Sequence, residues 1–156
     1  MFNLPFDSNR PIVGKASVII NKKIDEVFEF VGENFFENYP KWSSDVIEFE
    51  PLDGHEVVVG ARARQLRKDQ GKEVSSTFQV DAYQPLTLLR LKGVSDDYRD
   101  CYSLEKDEDG WTTKLTYSFE LLNIDIFMRP FEKLIRVAIE DGAETTTENI
   151  NKLLSA

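Results

Sequence analysis

The two residue types behind most metal and nucleophile sites are nearly missing: the 156-residue chain has one cysteine, Cys101, and one histidine, His55. A lone cysteine excludes an intrachain disulfide framework and suits a reducing compartment, so the expected location is cytoplasmic. Zinc sites built on clustered Cys and His are excluded by count. A Ser-His-Asp or Cys-His device would have to use His55, which directly follows Asp53-Gly54, the chemistry of a solvated turn. No apolar run approaches the roughly 18 residues of a membrane-spanning helix. The opening Met1-Phe2-Asn3-Leu4-Pro5-Phe6 has neither the basic nor the apolar region of a secretory signal. Positive charge is also short, with 19 Lys and Arg against 28 Asp and Glu and a formal net charge of −9. Such a balance repels phosphate backbones, so a nucleic-acid partner is not expected.

Several motifs fail on inspection. Gly14-Lys15 is no phosphate loop, because Asn9 stands where its first glycine belongs and Ala16 follows the lysine. The acid run Asp107-Glu108-Asp109-Gly110 lacks the glycine and glutamate spacing of a calcium loop, and reads as a solvated hairpin turn. No nucleophile elbow or dinucleotide fingerprint occurs. No cofactor or metal is expected.

What the chain does have is apolar material, 41% of its residues with 11 Phe, enough for one core without staples. The length fits a single domain over residues 15–156 behind a polar lead, 1–14, that contains Pro5 and Pro11. The β-branched run Lys15–Asn21 predicts a first strand. Ile24, Val27, Phe28 and Val31 share one helical face ended at Gly32, and a second short helix carrying Phe35 and Phe36 stops before Tyr39-Pro40. From Asp45 to Leu122, turn signals at Asp53-Gly54, Gly71, Gln84-Pro85, Ser95–Asp97 and Asp109-Gly110 cut about six hairpin-spaced strands.

Alternation within those strands assigns two faces. Glu73, Ser75, Thr77, Gln79 and Asp81, with Arg99, Ser103 and Glu105 and with Thr112 to Glu120 in alternation, belong in water. The opposite phase carries Ala61, Ala63, Gln65, Val74, Ser76, Phe78, Leu89, Leu91, Tyr98, Asp100, Tyr102, Tyr117 and Phe119 and needs a cover. That cover is expected from one long amphipathic helix beginning near Ile126, with Phe127, Phe131, Leu134, Ile135, Ala138 and Ile139 at helical spacing.

With this order of elements, the residues resemble the SRPBCC superfamily of START-like domains, closest in pattern to its bacterial polyketide cyclase/dehydrase-like proteins. The carriers are Val18-Ile19-Ile20 with Ile24 to Val31, Trp42, Val59-Gly60-Ala61-Arg62, Val80-x-x-Tyr83-x-Pro85 and Gly110 to Thr116. Lys22-Lys23 departs from the small residue and proline frequent there. The resemblance implies an α+β helix-grip fold: a curved antiparallel sheet of about seven strands, two short helices after the first, and a long carboxy-terminal helix across a cavity. It implies a hydrophobic or amphipathic small molecule, lipid-like or polyketide-like, as the partner. It carries over no catalytic motif, and fold alone does not settle activity.

The expected ligand-binding set is Ala61, Ala63, Gln65, Ser76, Phe78, Leu89, Leu91, Tyr98, Asp100, Tyr102, Tyr117, Phe119, Phe131, Leu134 and Ala138. Asp100 stands out because an inward carboxylate needs a partner or has its pKa raised by desolvation. With Tyr102 and Tyr117 it forms the catalytic candidate set of an alternative reading, a cyclase/dehydratase-type enzyme. Ala61 and Ala63 leave inward volume for large neighbours or a ligand. A third class, a protein-interaction module, would require an apolar outer sheet face, and the polar phase opposes one.

Overall fold

The computed structural model describes residues 10–156; most of the amino-terminal lead, with the opening stretch discussed above, lies outside the described residues. Strand β1 spans Ile12–Ile20 and begins three residues before the expected run. Helix α1 (Ile24–Phe28) continues into a wider π turn, Glu29–Glu33, instead of ending cleanly at Gly32. Gly32 sits inside that turn because a Cβ there would meet the Phe28 ring at 2.6 Å.

Helix α2 (Phe35–Trp42) runs through Pro40, contrary to the expected stop before Tyr39. The spacing of Phe35, Tyr39 and Trp42 explains the override. All three are buried on one face, and their mutual burial outweighs the preference of a residue before proline for extended backbone. Phe35 alone meets the rings of Tyr39, Trp42, Phe78 and Tyr102 at centroid distances of 5.0 to 6.1 Å.

Six further strands follow: β2 (Val46–Pro51), β3 (Arg62–Asp69), β4 (Lys72–Gln84), β5 (Leu88–Gly93), β6 (Tyr98–Lys106) and β7 (Thr113–Leu121). All pair antiparallel in one sheet of order β1-β7-β6-β5-β4-β3-β2. Register shifts at Val46/Glu48 and Val80/Ala82 break the ladder, the local device by which a sheet bends. The water-facing phase holds cross-strand ion pairs, Arg99 with Glu120 at 2.6 Å and Arg90 with Asp81 at 2.8 Å. Val74, placed by phase on the covered side, is exposed, because β4 begins beyond the reach of the cover.

The covering helix is shorter than expected. A 3-10 segment occupies Ile126–Phe131, opened by the Asp125 carboxylate accepting from Phe127 N–H at 2.9 Å, and helix α3 (Glu132–Ser155) starts only after Pro130. Arg129 and Arg136 both donate to Glu132, holding the junction and pulling its carboxyl down to about 2. Helix α3 lies close on β1 at Gly14, where a Cβ would come within 2.8 Å of Glu140 N. Its distal half closes the core through Ala143, Thr147 and Ile150, together with α1 and α2. This is the helix-grip arrangement, an α+β fold with its sheet gripping one long helix.

Candidate functional site

Between helix α3 and the sheet lies a cavity of about 680 Å³. Side chains from α2 (Tyr39, Trp42), β3 (Gln65, Arg67), β4 (Ser76, Phe78), β6 (Tyr98, Asp100, Tyr102) and β7 (Tyr117, Phe119) form the floor. Ile135, Ala138, Ile139, Gly142, Thr146 and Asn149 of α3 form the roof. Their spacing of three and four residues marks one helix face.

That face differs from the expected one. Phe131 and Leu134 are 54% and 71% exposed and do not line the cavity; Phe127 is 81% exposed. Starting α3 at Glu132 after the Pro130 turn points Ile135 and Ile139 at the sheet, and Leu134 lies about 100° round the helix from Ile135. Ala138 does line the cavity, at its open side. Ala61, Ala63 and Leu89 are buried but sit outside the lining, within the core cluster that contains Phe35 and Phe36. The volume that small inward residues leave on β3 belongs to core packed with the rings of α2.

Gln65, Ser76, Phe78, Leu91, Tyr98, Asp100, Tyr102, Tyr117 and Phe119 are brought together on the lining. The polar ones divide into separate networks. Arg67 Nη1 donates to Tyr39 Oη at 3.3 Å, Tyr39 Oη donates to Gln65 Oε1 at 2.8 Å, and Gln65 Nε2 donates to Ser76 Oγ at 3.3 Å. Trp42 Nε1 donates to Tyr102 Oη at 3.2 Å. Tyr117 Oη donates to Asp100 Oδ2 at 3.1 Å. Two buried atoms are left over: among the described residues, Asp100 Oδ1 and Tyr98 Oη find no partner.

Burial is the main force on these groups. It pushes the Asp100 carboxyl up to about 7, opposed by the Tyr117 hydrogen bond and the Arg67 charge. Desolvation raises the Tyr98, Tyr102 and Tyr117 phenols above their ordinary range, with Asp100 adding to the rise. They stay protonated donors throughout the neutral range. His55 is exposed, away from this cavity, and among the described residues no three His, Cys, Asp or Glu side chains converge as a metal site requires. Tyr39, Arg67 and Asn149 are lining residues that the sequence reading missed. Arg67 continues the inward phase of Ala61, Ala63 and Gln65 by one more step, and that alternation is the signal that could have found it.

A family model described as polyketide cyclase / dehydrase and lipid transport matches residues 12–154. The chain belongs to that family. Among solved structures, the chain is similar to TTHA0849 from Thermus thermophilus, with TM-score 0.72, 15% identity, 91% of this chain and 96% of that one covered. It is similar to Ara h 8.0201, with TM-score 0.71, 12% identity and coverage of 93% and 98%. A Polyketide_cyc-like protein, Cgl2372 from Corynebacterium glutamicum, superposes with TM-score 0.64 at 19% identity, covering 94% and 93%. At these identities the likeness is one of fold. A search of curated proteins gives no significant match.

Proposed function

We propose that this family member binds a hydrophobic or amphipathic small molecule between the sheet and helix α3. The observation that carries the reading is the cavity of about 680 Å³, within the span of roughly 300–1,000 Å³ typical of small-molecule sites. Its lining mixes apolar walls (Phe78, Leu91, Phe119, Ile135, Ile139) with a few buried polar groups, the composition that gives affinity and orientation together. The family description, which includes lipid transport, supports the same reading. A single domain, a cytoplasmic setting and no nucleic-acid partner belong to the same proposal, supported by the lone cysteine and the net charge of −9. Titration with the neutral dye N-phenyl-1-naphthylamine tests it: saturable fluorescence enhancement, lost on Ala138→Trp, is the expected result.

One observation favours a second reading. Asp100, with a carboxyl near 7, is hydrogen-bonded to Tyr117 at the cavity floor, an arrangement able to donate and accept protons near neutrality. In a cyclase or dehydratase, Asp100 would exchange the substrate proton while Tyr102 and Tyr117 held the reacting oxygen. Asp100→Asn would then abolish turnover of a polyketide-like substrate while dye binding persisted.

A further inference from the structure

The cavity floor holds a carboxylate that no cation pairs with directly, Arg67 acting on it only at a distance. Asp100 is only 8% exposed, Tyr117 satisfies Oδ2, and Oδ1 has no partner among the described residues. The one guanidinium on the lining, Arg67, is engaged elsewhere: it lies 3.5 Å from Asp45 and donates to Tyr39. Besides Asp100 the lining carries two more carboxylates, Asp45 and Asp69, against that single arginine. The charge pattern of the cavity is therefore negative, as is the whole chain at −9.

Around Asp100 stand aromatic rings. Tyr98 and Phe119 stack at 5.5 Å, Tyr102 and Tyr117 meet at 4.8 Å, and Trp42 meets Tyr102 at 5.7 Å. Ring faces attract cations, and more strongly where water is excluded. The Tyr98 hydroxyl, also unpartnered, supplies a neutral acceptor beside the carboxylate. A carboxylate or phosphate ligand would meet the Asp100 carboxylate here, and a purely apolar one would leave Asp100 Oδ1 and Tyr98 Oη unsatisfied, each at a desolvation cost.

Building on the cavity reading above, we propose that the ligand is a hydrophobic molecule bearing a protonated nitrogen, with the ammonium seated on Asp100 Oδ1 and Tyr98 Oη among the Trp42, Tyr102 and Tyr117 rings. Ionisation and binding are then coupled. The groups facing Asp100 are Tyr98 and Tyr102 on β6, Tyr117 on β7, Tyr39 on α2 and Arg67 on β3, while the α3 lining is free of titratable side chains. The tyrosines stay neutral and Arg67 stays charged over the neutral range, so Asp100 is the group that gives up a proton when a cation arrives.

Three probes with one ring body separate the possibilities: 2-naphthylmethylamine, 2-naphthalenemethanol and 2-naphthoic acid, titrated calorimetrically into the full chain. The amine is expected to bind on the order of ten- to a hundredfold tighter than the alcohol, as a charge-assisted hydrogen bond in a dry site gives, and the acid weakest. Amine affinity should rise between pH 5.5 and 8, by up to about tenfold per unit below the Asp100 midpoint, with proton release at pH 6 and with no such rise for the alcohol. Asp100→Asn, checked for native circular dichroism, should bring the amine down to the alcohol's affinity. An alcohol or acid that binds as well as the amine overturns the ammonium proposal and leaves the cavity reading standing. An amine preference that survives in Asp100→Asn, or that falls with rising pH, also overturns it. If none of the three binds, the cavity reading falls with it.

Discussion

Tyr117 and Asp100 sit on neighbouring antiparallel strands, diagonal to one another across the β6–β7 ladder, and the phenol donates to the carboxylate at 3.1 Å beneath the cavity. It is the one side-chain hydrogen bond of a nearly buried acid, and together with the Arg67 charge it only partly offsets the loss of water around that carboxylate.

Stability should therefore depend on pH through Asp100. Its folded carboxyl titrates near 7, above the unfolded value near 4, so the native state binds the extra proton between those limits. The native protein thus loses stability as pH rises from about 4 to about 7, then levels off, with roughly 4 kcal/mol as the upper size of the effect. Asp100→Asn should raise the denaturation midpoint at pH 8 more than at pH 4.5. Chemical denaturation of both proteins at the two pH values checks this; equal gains would place the acid in a solvated environment.

The core depends on Phe35 more than on any exposed ring. Phe35→Ala should cost about 3–5 kcal/mol in chemical denaturation, the range for deleting a fully buried aromatic, because four rings lose their common neighbour. Phe127→Ala, at 81% exposure, should change stability by less than about 0.5 kcal/mol.

Two glycines on opposite sides of the helix contact should respond with opposite signs. Gly14→Ala forces a Cβ against the Ile139 and Glu140 backbone and should destabilise by about 1–3 kcal/mol, since neither element can yield without moving α3. A Cβ at Gly142 meets nothing within 4 Å, so Gly142→Ala should stabilise α3 by about 0.5–1 kcal/mol. Thermal melts of the two variants decide it.

Strand phase made most of the sheet legible in the sequence. Gln65, Ser76, Phe78, Asp100, Tyr102, Tyr117 and Phe119 alternate with water-facing residues over strands long enough to fix register, and they meet on one face. The helix contribution was less legible. Apolar residues occur on more than one side of the segment from Ile126 to Ile139, so periodicity alone could not say which stripe meets the sheet. Where α3 begins decides that, and the Asp125 and Pro130 turn sets it at Glu132. Ala61 and Ala63 were legible as small and inward. What they make room for depends on where α2 lays its rings, a long-range contact with no local signal.

The central claim is that ligand sits inside the grip, against Asp100 and α3, and does not adhere to the exposed apolar residues of the turn before α3. Amide chemical-shift mapping of the uniformly labelled protein during titration with N-phenyl-1-naphthylamine tests it directly. The account predicts saturable shifts at Leu91, Asp100, Phe119, Ile139 and Thr146, with Phe127 and Leu134 nearly unmoved. Shifts confined to Phe127, Met128, Phe131 and Leu134, or none at saturating dye, would contradict it.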